Sequence, residues 1–368
     1  MKTDTMLDIL FDKRRQEHLE KTRELFNSYM RKPKLLKTNL LLSFSAWPEV
    51  CKHKEGIFSL TEHQALFDAK NSALQEGGYF LSLQQKGICI NPSGTFFEEL
   101  CQKGYSLQDI DIVFATANLP SIQETIKCLH SLNRECNRTL VSYGQEPHVI
   151  RFFLHPELFA TLSSELRPII RQELNSVLSL ETFTKSQEVR ALDDTLKLSY
   201  TKTEGGNLAL RIDAEDEQIS FGYISQGGYD ESLDSFFAPC TILSVGIGEC
   251  PAEDIEKVRM QQTSLGYYGL SELIQNLTNP KAVNLKAVLV SEFSRSMGDC
   301  RLELIQKLKR EHSTHPKILP LDKNFCLQLD LLAVETAPNS YCSFEDVRVV
   351  RANGSFGALI FLGSDDVL

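Results

Sequence analysis

Short apolar segments of the strand type alternate with helical segments along most of this chain, and few architectures accept that order. In the first half, strands are predicted over TNLLLSFSAW, GYFLSLQQKGICINPSG, IDIVFAT, RTLVSYG and VIRFFLHP. Helices are predicted over FFEELCQKG and SIQETIKCLHSLNREC. Glycine and proline punctuate several of these segments, as they do at the ends of strands.

The second half of the chain repeats this order. LKLSYTKTEGGNLALRIDAEDEQISFGYISQGG predicts a meander of three strands, and CTILSVGI and KAVLVSE predict two more strands. Helices are predicted near YGLSELIQNL and over CRLELIQKLKREH. Two strand-rich halves with helices between them predict two sheets that pack face to face and are covered by helices.

The first 33 residues predict an amphipathic helical extension that ends at Pro33. Its apolar residues recur mostly at three- and four-residue steps, and Lys, Arg and Glu fill the opposite face. The extension either packs on its own domain, which is the simpler interpretation, or docks on another subunit. The predicted organisation is a helical extension over residues 1–33 and one domain over residues 34–368.

Composition excludes several classes of function. The formal net charge of −10 argues against a broad phosphate-binding surface, because nucleic-acid affinity depends on Lys and Arg. The ten cysteines include no CxxC pair, and the first residues lack the apolar core of a signal peptide. We therefore expect a cytoplasmic protein with reduced thiols. No apolar run approaches the roughly 20 residues that span a bilayer, so no membrane role is expected.

Taken in order, several segments resemble the metallo-β-lactamase-fold hydrolases. GGYFLSLQQKGICINPSG, a helix and SLQDIDIVFATANLPSIQETI resemble the amino-terminal half of that family, where a hairpin ends in an Asp-Pro-Gly-like turn and a later strand ends in Thr before an HxHxDH metal loop. FGYISQGGYD, SVGIGE and SLGYYGLSELI before VLVSEF continue the resemblance, which covers most of residues 35 to 330. It implies an α/β fold, a metallo-β-lactamase-like four-layer αββα sandwich that follows the helical extension.

The resemblance also implies where the family's metal ligands would lie, and the residue types differ there. Thr116 matches the Thr before the metal loop, and Asn91 stands at the Asp of the turn. The positions of the ligands, which we call the vestigial cleft, fall on Ala117, Leu119, Ser121, Ile122, Gln226, Gly246 and Ser264. Hydrocarbon side chains have no lone pairs, and neutral Ser and Gln are weak donors for zinc. Without a bound metal, no water is activated as hydroxide.

The positions of the histidines lead to the same expectation without an alignment. The eight histidines are His18, His53, His63, His130, His148, His155, His312 and His315. None lies between residues 63 and 130 or between residues 155 and 312, where this fold would supply its metal histidines. The sequence therefore predicts no catalytic residue, no metal ligand and no cofactor.

These observations favour a catalytically inactive protein of this fold, a pseudoenzyme that acts as a non-catalytic subunit or regulator in a protein complex. It would pair with itself or with an active relative, and a role in bacterial antiviral defence is an expectation by analogy. Neither nucleic acid nor a membrane is expected as a direct partner.

Two alternatives stay open beside this interpretation. The chain is a small-molecule or nucleotide sensor that uses the vestigial cleft, or it is a metal-dependent hydrolase or nuclease with a rebuilt site. SEFSRSMGD follows a predicted strand, so Ser291, Glu292, Ser294 and Arg295 form a candidate rim for a ligand or partner. The simpler interpretation of that segment is the cap of the following helix.

Overall fold

The structure is a computed structural model, and it describes residues 39–44, 77–172, 178–183, 187–192, 194–203, 206–214, 219–225, 227–248, 265–278, 284–293, 301–312, 316–321, 326–329, 348–351 and 358–361. The prediction of a helical extension over residues 1–33 falls outside this part of the chain. The two-part domain organisation therefore stays a prediction.

The strands follow the alternation of apolar residues in the sequence. In chain order they are Leu40–Ser43 (β1), Gly77–Leu83 (β2), Lys86–Ser93 (β3), Ile112–Ala115 (β4), Ile150–Leu154 (β5), Leu178–Thr182 (β6), Gln187–Ala191 (β7), Leu196–Lys202 (β8), Leu208–Ala214 (β9), Ile219–Ile224 (β10), Ile242–Gly248 (β11), Ala287–Phe293 (β12), Lys317–Pro320 (β13), Cys326–Gln328 (β14), Arg348–Arg351 (β15) and Ala358–Phe361 (β16). Most are four to seven residues long, which is the usual length in globular proteins.

Six α-helices lie between these strands in the described residues. They are Phe96–Gln102 (α1), Pro120–Ser142 (α2), Pro156–Gln172 (α3), Ser232–Phe237 (α4), Gly266–Leu277 (α5) and Arg301–Glu311 (α6). α2 begins at a proline. Proline has no backbone N–H, and the first residue of a helix has no partner within the helix for that group. None of the described helices combines the length and the hydropathy that crossing a bilayer requires.

The strands form two mixed sheets. In the first sheet the order is β15-β16-β14-β1-β2-β3-β4-β5-β6, and β3 to β6 run parallel. In the second sheet the order is β13-β12-β11-β10-β9-β8-β7, and β10 to β13 run parallel. Parallel strands place their carboxyl ends at one edge of a sheet, which is where layered α/β folds bind their ligands.

Three apolar clusters hold four layers together. The central cluster lies between the sheets and includes Phe114, Phe153, Tyr200 and Phe221, which are fully buried. A second cluster joins the outer face of the first sheet to α1, α2 and α3, and a third joins the second sheet to α4, α5 and α6. This arrangement confirms the predicted α/β class and the four-layer αββα sandwich.

One predicted element is wrong. The segment RTLVSYG, predicted as a strand, forms the last turns of α2 and the turn that follows it. Cys136 and Leu140 are buried on the inner face of the helix, so the four-residue spacing of that face runs on through the segment. Thr139 also donates its hydroxyl to the Glu135 carbonyl at 3.1 Å, as helical threonines do. Packing of this face outweighs the strand preference of Thr139 and Val141.

Candidate functional site

Five polar side chains meet where strands of both sheets end, and we call them the Glu292 cluster. They are Asn91 near the end of β3, Thr116 after β4, Tyr223 in β10, Ser225 after β10, and Glu292 near the end of β12. The first two belong to one sheet and the last three to the other. The cluster therefore joins the two sheets at one edge of the sandwich.

Asn91 is the centre of the first half of the cluster. Its amide Nδ2 donates to Thr116 Oγ1 at 2.8 Å and to Tyr223 Oη at 3.0 Å. Its Oδ1 accepts the backbone N–H of Thr116 at 2.8 Å. Both amide hydrogens and the amide oxygen are thus in use, which satisfies a buried polar group that would otherwise be costly.

Glu292 is the centre of the second half. Tyr223 Oη donates to Glu292 Oε1 at 2.9 Å, and Ser225 Oγ donates to Glu292 Oε2 at 2.8 Å. Each carboxyl oxygen therefore already accepts a hydrogen bond from a neutral hydroxyl. Hydroxyl donors stabilise a carboxyl group without bringing a second charge into the protein.

The backbone at both centres is unusual for residues with a side chain. Asn91 has a φ of 48° and Glu292 has a φ of 52°, which is the left-handed region. Asparagine tolerates this conformation, whereas it is uncommon for glutamate. Such a conformation costs on the order of 1 to 3 kcal/mol and persists only where surrounding contacts fix it. The hydrogen bonds of the Glu292 cluster supply contacts of that kind.

Gly246 lies directly against the cluster. A Cβ atom at this position would stand 2.4 Å from the Ser225 carbonyl oxygen and 2.7 Å from Glu292 Oε2. Both distances are far inside normal van der Waals contact, so a larger residue requires the cluster to move. The space beside Gly246 is thus taken by the carboxyl group of Glu292.

Burial controls the ionisation of the cluster. It raises the pKa of the Glu292 carboxyl above its usual range, and hydrogen bonds from Ser225, Tyr223 and Tyr79 oppose part of that rise. Burial, with the nearby Glu292 carboxyl as a second cause, holds the pKa values of Tyr79 and Tyr223 well above 10. No basic side chain of the described residues contributes to the Glu292 pKa. The ionised form of Glu292 is therefore less favourable here than it is for an exposed glutamate.

The structure brings together part of the predicted site. Gly246 of the vestigial cleft and Glu292 of the candidate rim lie in contact at the cluster. Ser291 is buried beside them, and its hydroxyl donates to the Val245 carbonyl at 3.1 Å, so it is a packed strand residue. Gln226, Ser264, Ser294 and Arg295 lie outside the residues that the structure describes.

The other described positions of the vestigial cleft follow β4 in the chain. Ala117 is buried and comes directly after Thr116 of the Glu292 cluster. Leu119 and Ile122 pack in the apolar cluster between the first sheet and its helices. Ser121 lines a surface groove between α1 and α2. A role of these positions in a ligand site stays a prediction.

Sequence reasoning missed Tyr223 and Ser225. Tyr223 sits in a strand whose six residues are all buried, so no local pattern separates it from a core aromatic residue. Its hydroxyl becomes informative only when Asn91, which lies 132 residues earlier, is seen 3.0 Å away. The hydroxyl of a buried tyrosine usually has a hydrogen-bond partner. A tyrosine in a strand predicted to be buried was therefore the signal from which a polar contact could have been expected.

The described residues do not fit a metal centre. No three His, Cys, Asp or Glu side chains of the described residues converge in a way that could hold a metal ion. His148 Nε2 lies 2.7 Å from the Ile110 carbonyl, His155 Nε2 lies 3.1 Å from the Gly206 carbonyl, and His312 Nε2 lies 2.9 Å from Ser271 Oγ. The Glu292 carboxyl is a single anionic donor, and both of its oxygens are engaged.

Comparison with known proteins identifies the fold. No family model and no curated protein matches the sequence. The structure is similar to the metallo-β-lactamase fold protein YhfI from Bacillus subtilis, with a TM-score of 0.52 and 10% identity over 79% of this chain and 99% of that chain. It is also similar to a diphosphatase from the PhnP family, with a TM-score of 0.50 and 11% identity over 79% of this chain and 97% of that chain. Yeast PDE1 gives a TM-score of 0.50 and 12% identity over 77% of this chain and 97% of that chain.

Proposed function

We propose that this chain, which has the metallo-β-lactamase fold, is a catalytically inactive member of that fold and acts as a non-catalytic subunit or regulator in a protein complex. The observation that carries the proposal is the closed hydrogen bonding of the Glu292 cluster. Tyr223 and Ser225 occupy both oxygens of its one carboxyl group, and Asn91 completes the network from the other sheet.

Coordination chemistry supports the proposal that the chain is catalytically inactive. Hydrolysis by a metal-activated water needs a cation held by several imidazole or carboxylate donors, with one position open for water. The Glu292 cluster offers one carboxyl group, three hydroxyls and an amide, all of them hydrogen-bonded to one another. A cation would have to displace these hydrogen bonds and ionise a carboxyl group whose pKa burial has raised.

The intact scaffold supports the proposal that the chain acts as a subunit or regulator in a complex. Three buried clusters hold the four layers together, and the strand ends carry a closed hydrogen-bond network. A scaffold of this size that lacks its chemistry still offers surfaces for another chain. Pairing with itself or with an active relative follows from this proposal, and a role in antiviral defence remains an expectation by analogy.

Metal analysis with a turnover assay tests the proposal. The purified full-length protein is dialysed against Zn²⁺ or Mn²⁺, its metal content is measured by mass spectrometry, and hydrolysis of bis-p-nitrophenyl phosphate is followed with and without a chelator. We expect substoichiometric metal and no chelator-sensitive turnover. Glu292→Gln is the matched control, because it keeps the shape of the side chain and removes its charge. Stoichiometric metal that this variant loses, together with chelator-sensitive hydrolysis, would overturn the proposal.

A separate measurement tests the proposal that the chain is part of a protein complex. Native mass spectrometry of the full-length chain, isolated from its source cells at its natural level, reports whether it is part of a complex. We expect a discrete assembly heavier than the 41.6 kDa of one chain. A single chain at every concentration, with no associated protein, contradicts the proposal that the chain acts in a complex. It does not affect the test of metal content and turnover.

A further inference from the structure

The second sheet ends in two edge strands in the described part of the chain, and one of them is closed to a further strand. β13 lies at one end of the strand order and β7 lies at the other. Lys317 and Leu321 donate their backbone N–H groups to the β12 side, so Ile318 and Pro320 face away from the sheet. Proline has no N–H to donate, which makes this edge a poor template for another strand.

β7 offers an open edge. Leu192, directly after β7, donates its N–H to the carbonyl of Leu196 at the start of β8 at 2.8 Å. Along an antiparallel ladder, residues alternate between those that bond to the neighbouring strand and those that do not. Counted from Leu192 through the register of β7 and β8, the backbone N–H and C=O groups that point away from the sheet belong to Gln187, Val189 and Ala191. No described strand pairs with that side of β7.

The order of charges in β7 suits pairing with a second copy of the same strand. The strand reads QEVRA, with Glu188 and Arg190 on either side of Val189. When two copies pair antiparallel with Val189 opposite Val189, every outward position of one copy lies opposite an outward position of the other. The same register places Glu188 of each copy opposite Arg190 of the other. Opposite charges on directly opposite residues stabilise an antiparallel pair.

Neighbouring twofold registers do not have this match. A shift of the twofold axis by one residue also brings outward positions together, but it places glutamate opposite glutamate at position 188 or arginine opposite arginine at position 190. Like charges that lie directly opposite each other destabilise a strand pair. Backbone hydrogen bonding and charge therefore favour the same single register.

We propose that two copies of this chain pair through β7, antiparallel and with twofold symmetry about Val189, so that their second sheets form one continuous sheet. This inference rests on the proposed function and deepens it, because it names a second copy of the chain as a partner. Both copies contribute the same surface, as a twofold interface requires. The backbone groups at the outer side of β7 gain hydrogen-bond partners in this way, as they do when a strand is added to a sheet edge.

Analytical ultracentrifugation of charge variants tests the proposal. The full-length wild-type protein is measured from roughly 1 to 100 μM, and we expect a species of twice the 41.6 kDa mass of one chain. Glu188→Arg places arginine opposite arginine, and Arg190→Glu places glutamate opposite glutamate. Because each dimer contains two such pairs, we expect either variant to raise the dimer Kd by at least about tenfold. The double variant Glu188→Arg with Arg190→Glu restores opposite charges, and we expect it to dimerise again.

A mixture of the two single variants gives the sharpest result. One chain then has arginine at both positions and the other has glutamate at both, so every pair of opposite residues is attractive. We expect the mixture to form a heterodimer although each variant alone associates weakly, a result that misfolding of either variant does not produce. Glu124→Arg is the matched control, since it reverses the same charge at an exposed position on α2, and we expect it to keep the wild-type Kd.

Hydrogen exchange at increasing protein concentration locates the contact. The backbone N–H groups of Gln187, Val189 and Ala191 gain partners in the dimer, whereas those of Glu188 and Arg190 already face β8. We therefore expect exchange to slow with concentration at the first three positions and to change little at the other two.

Three results would overturn the proposal. They are a wild-type protein that is a single chain at roughly 100 μM, a dimer whose Kd neither single variant changes, and a mixture of the two variants that forms no heterodimer. Metal content and turnover do not depend on β7, and a complex isolated from the source cells can contain a different protein. Failure of β7 pairing is therefore distinguishable from failure of the proposed function.

Discussion

Glu292 shows how burial and hydrogen bonds act on a single carboxyl group. A buried carboxyl group costs several kcal/mol when it is ionised without a cation, on the order of the stability of a domain. Tyr223 and Ser225 lower that cost with hydrogen bonds, and burial keeps the pKa of the group raised. Burial thus makes ionisation of this residue more costly, whereas a metal ligand has to be ionised.

The raised pKa predicts how stability depends on pH. Well below pH 4.5, the ordinary pKa of glutamate, this side chain carries its proton in both the folded and the unfolded chain. Above it the unfolded chain ionises first, so unfolding becomes easier until the pH passes the raised pKa of the folded protein. We expect the wild-type protein to lose stability relative to Glu292→Gln across this window, by at most about 1.4 kcal/mol per pH unit.

Urea unfolding between pH 4 and pH 9 measures this difference, with pH as the independent variable. The new amide of Glu292→Gln also changes the free energy of unfolding, but by an amount that does not depend on pH. The test is therefore how the difference between the two proteins changes with pH. Tyr79 and Tyr223 stay protonated in this window, because their pKa values lie well above 10. Glu303→Gln, at an exposed position on α6, should show no such slope. A difference for Glu292→Gln that does not change with pH would contradict the raised pKa of the Glu292 carboxyl.

At the scale of elements, most strands and helices could be predicted because their apolar spacing is local information. The hairpin of β2 and β3, the meander of β8, β9 and β10, and helices α1, α5 and α6 all follow their sequence patterns. The end of α2 could not be predicted, since packing against distant residues decides between helix and strand there. For the same reason the sequence indicated Asn91, Gly246 and Glu292 as separate positions, but not the network of Tyr223 that joins them.

The end of α2 is tied to the loop before β5 by an asparagine, and this predicts a local weak point. Asn137 Nδ2 donates to the His148 carbonyl at 2.9 Å, and its Oδ1 accepts the His148 N–H at 2.7 Å. Asn137→Ala leaves the His148 N–H without this partner, and the His148 carbonyl keeps the amide of Asn133 at 3.2 Å, so we expect a loss of about 1 to 3 kcal/mol. Urea unfolding measures the loss, and Ser131→Ala at an exposed position on the same helix should change stability little.

At the scale of the whole molecule, two sheets of different topology share one core and several polar connections. The central apolar cluster includes residues of both sheets, and the bond between Asn91 and Tyr223 joins them at the edge. A shared core of this kind makes the sheets one cooperative unit. The comparisons agree with this architecture at 10% to 12% identity, where the fold persists although the residue types differ.

Removal of the Tyr223 hydroxyl tests this cooperation. Tyr223→Phe keeps the ring in the core and leaves Asn91 and Glu292 each one hydrogen bond short, so we expect a loss of about 1 to 3 kcal/mol. Native-state hydrogen exchange should show amides of β4 and β10 losing the same protection, because the sheets unfold together. Protection that falls in β10 and stays unchanged in β4 would show that the sheets open independently. Phe221→Leu, a core change without a polar partner, is the comparison.

The tight packing around Gly246 limits which residues this position accepts. A histidine here needs room that the Ser225 carbonyl and the Glu292 carboxyl fill. An imidazole fits at this strand end only together with a shorter residue at position 292 and a shift of the end of β10. A single substitution at position 246 therefore does not equip this edge of the sandwich with a histidine.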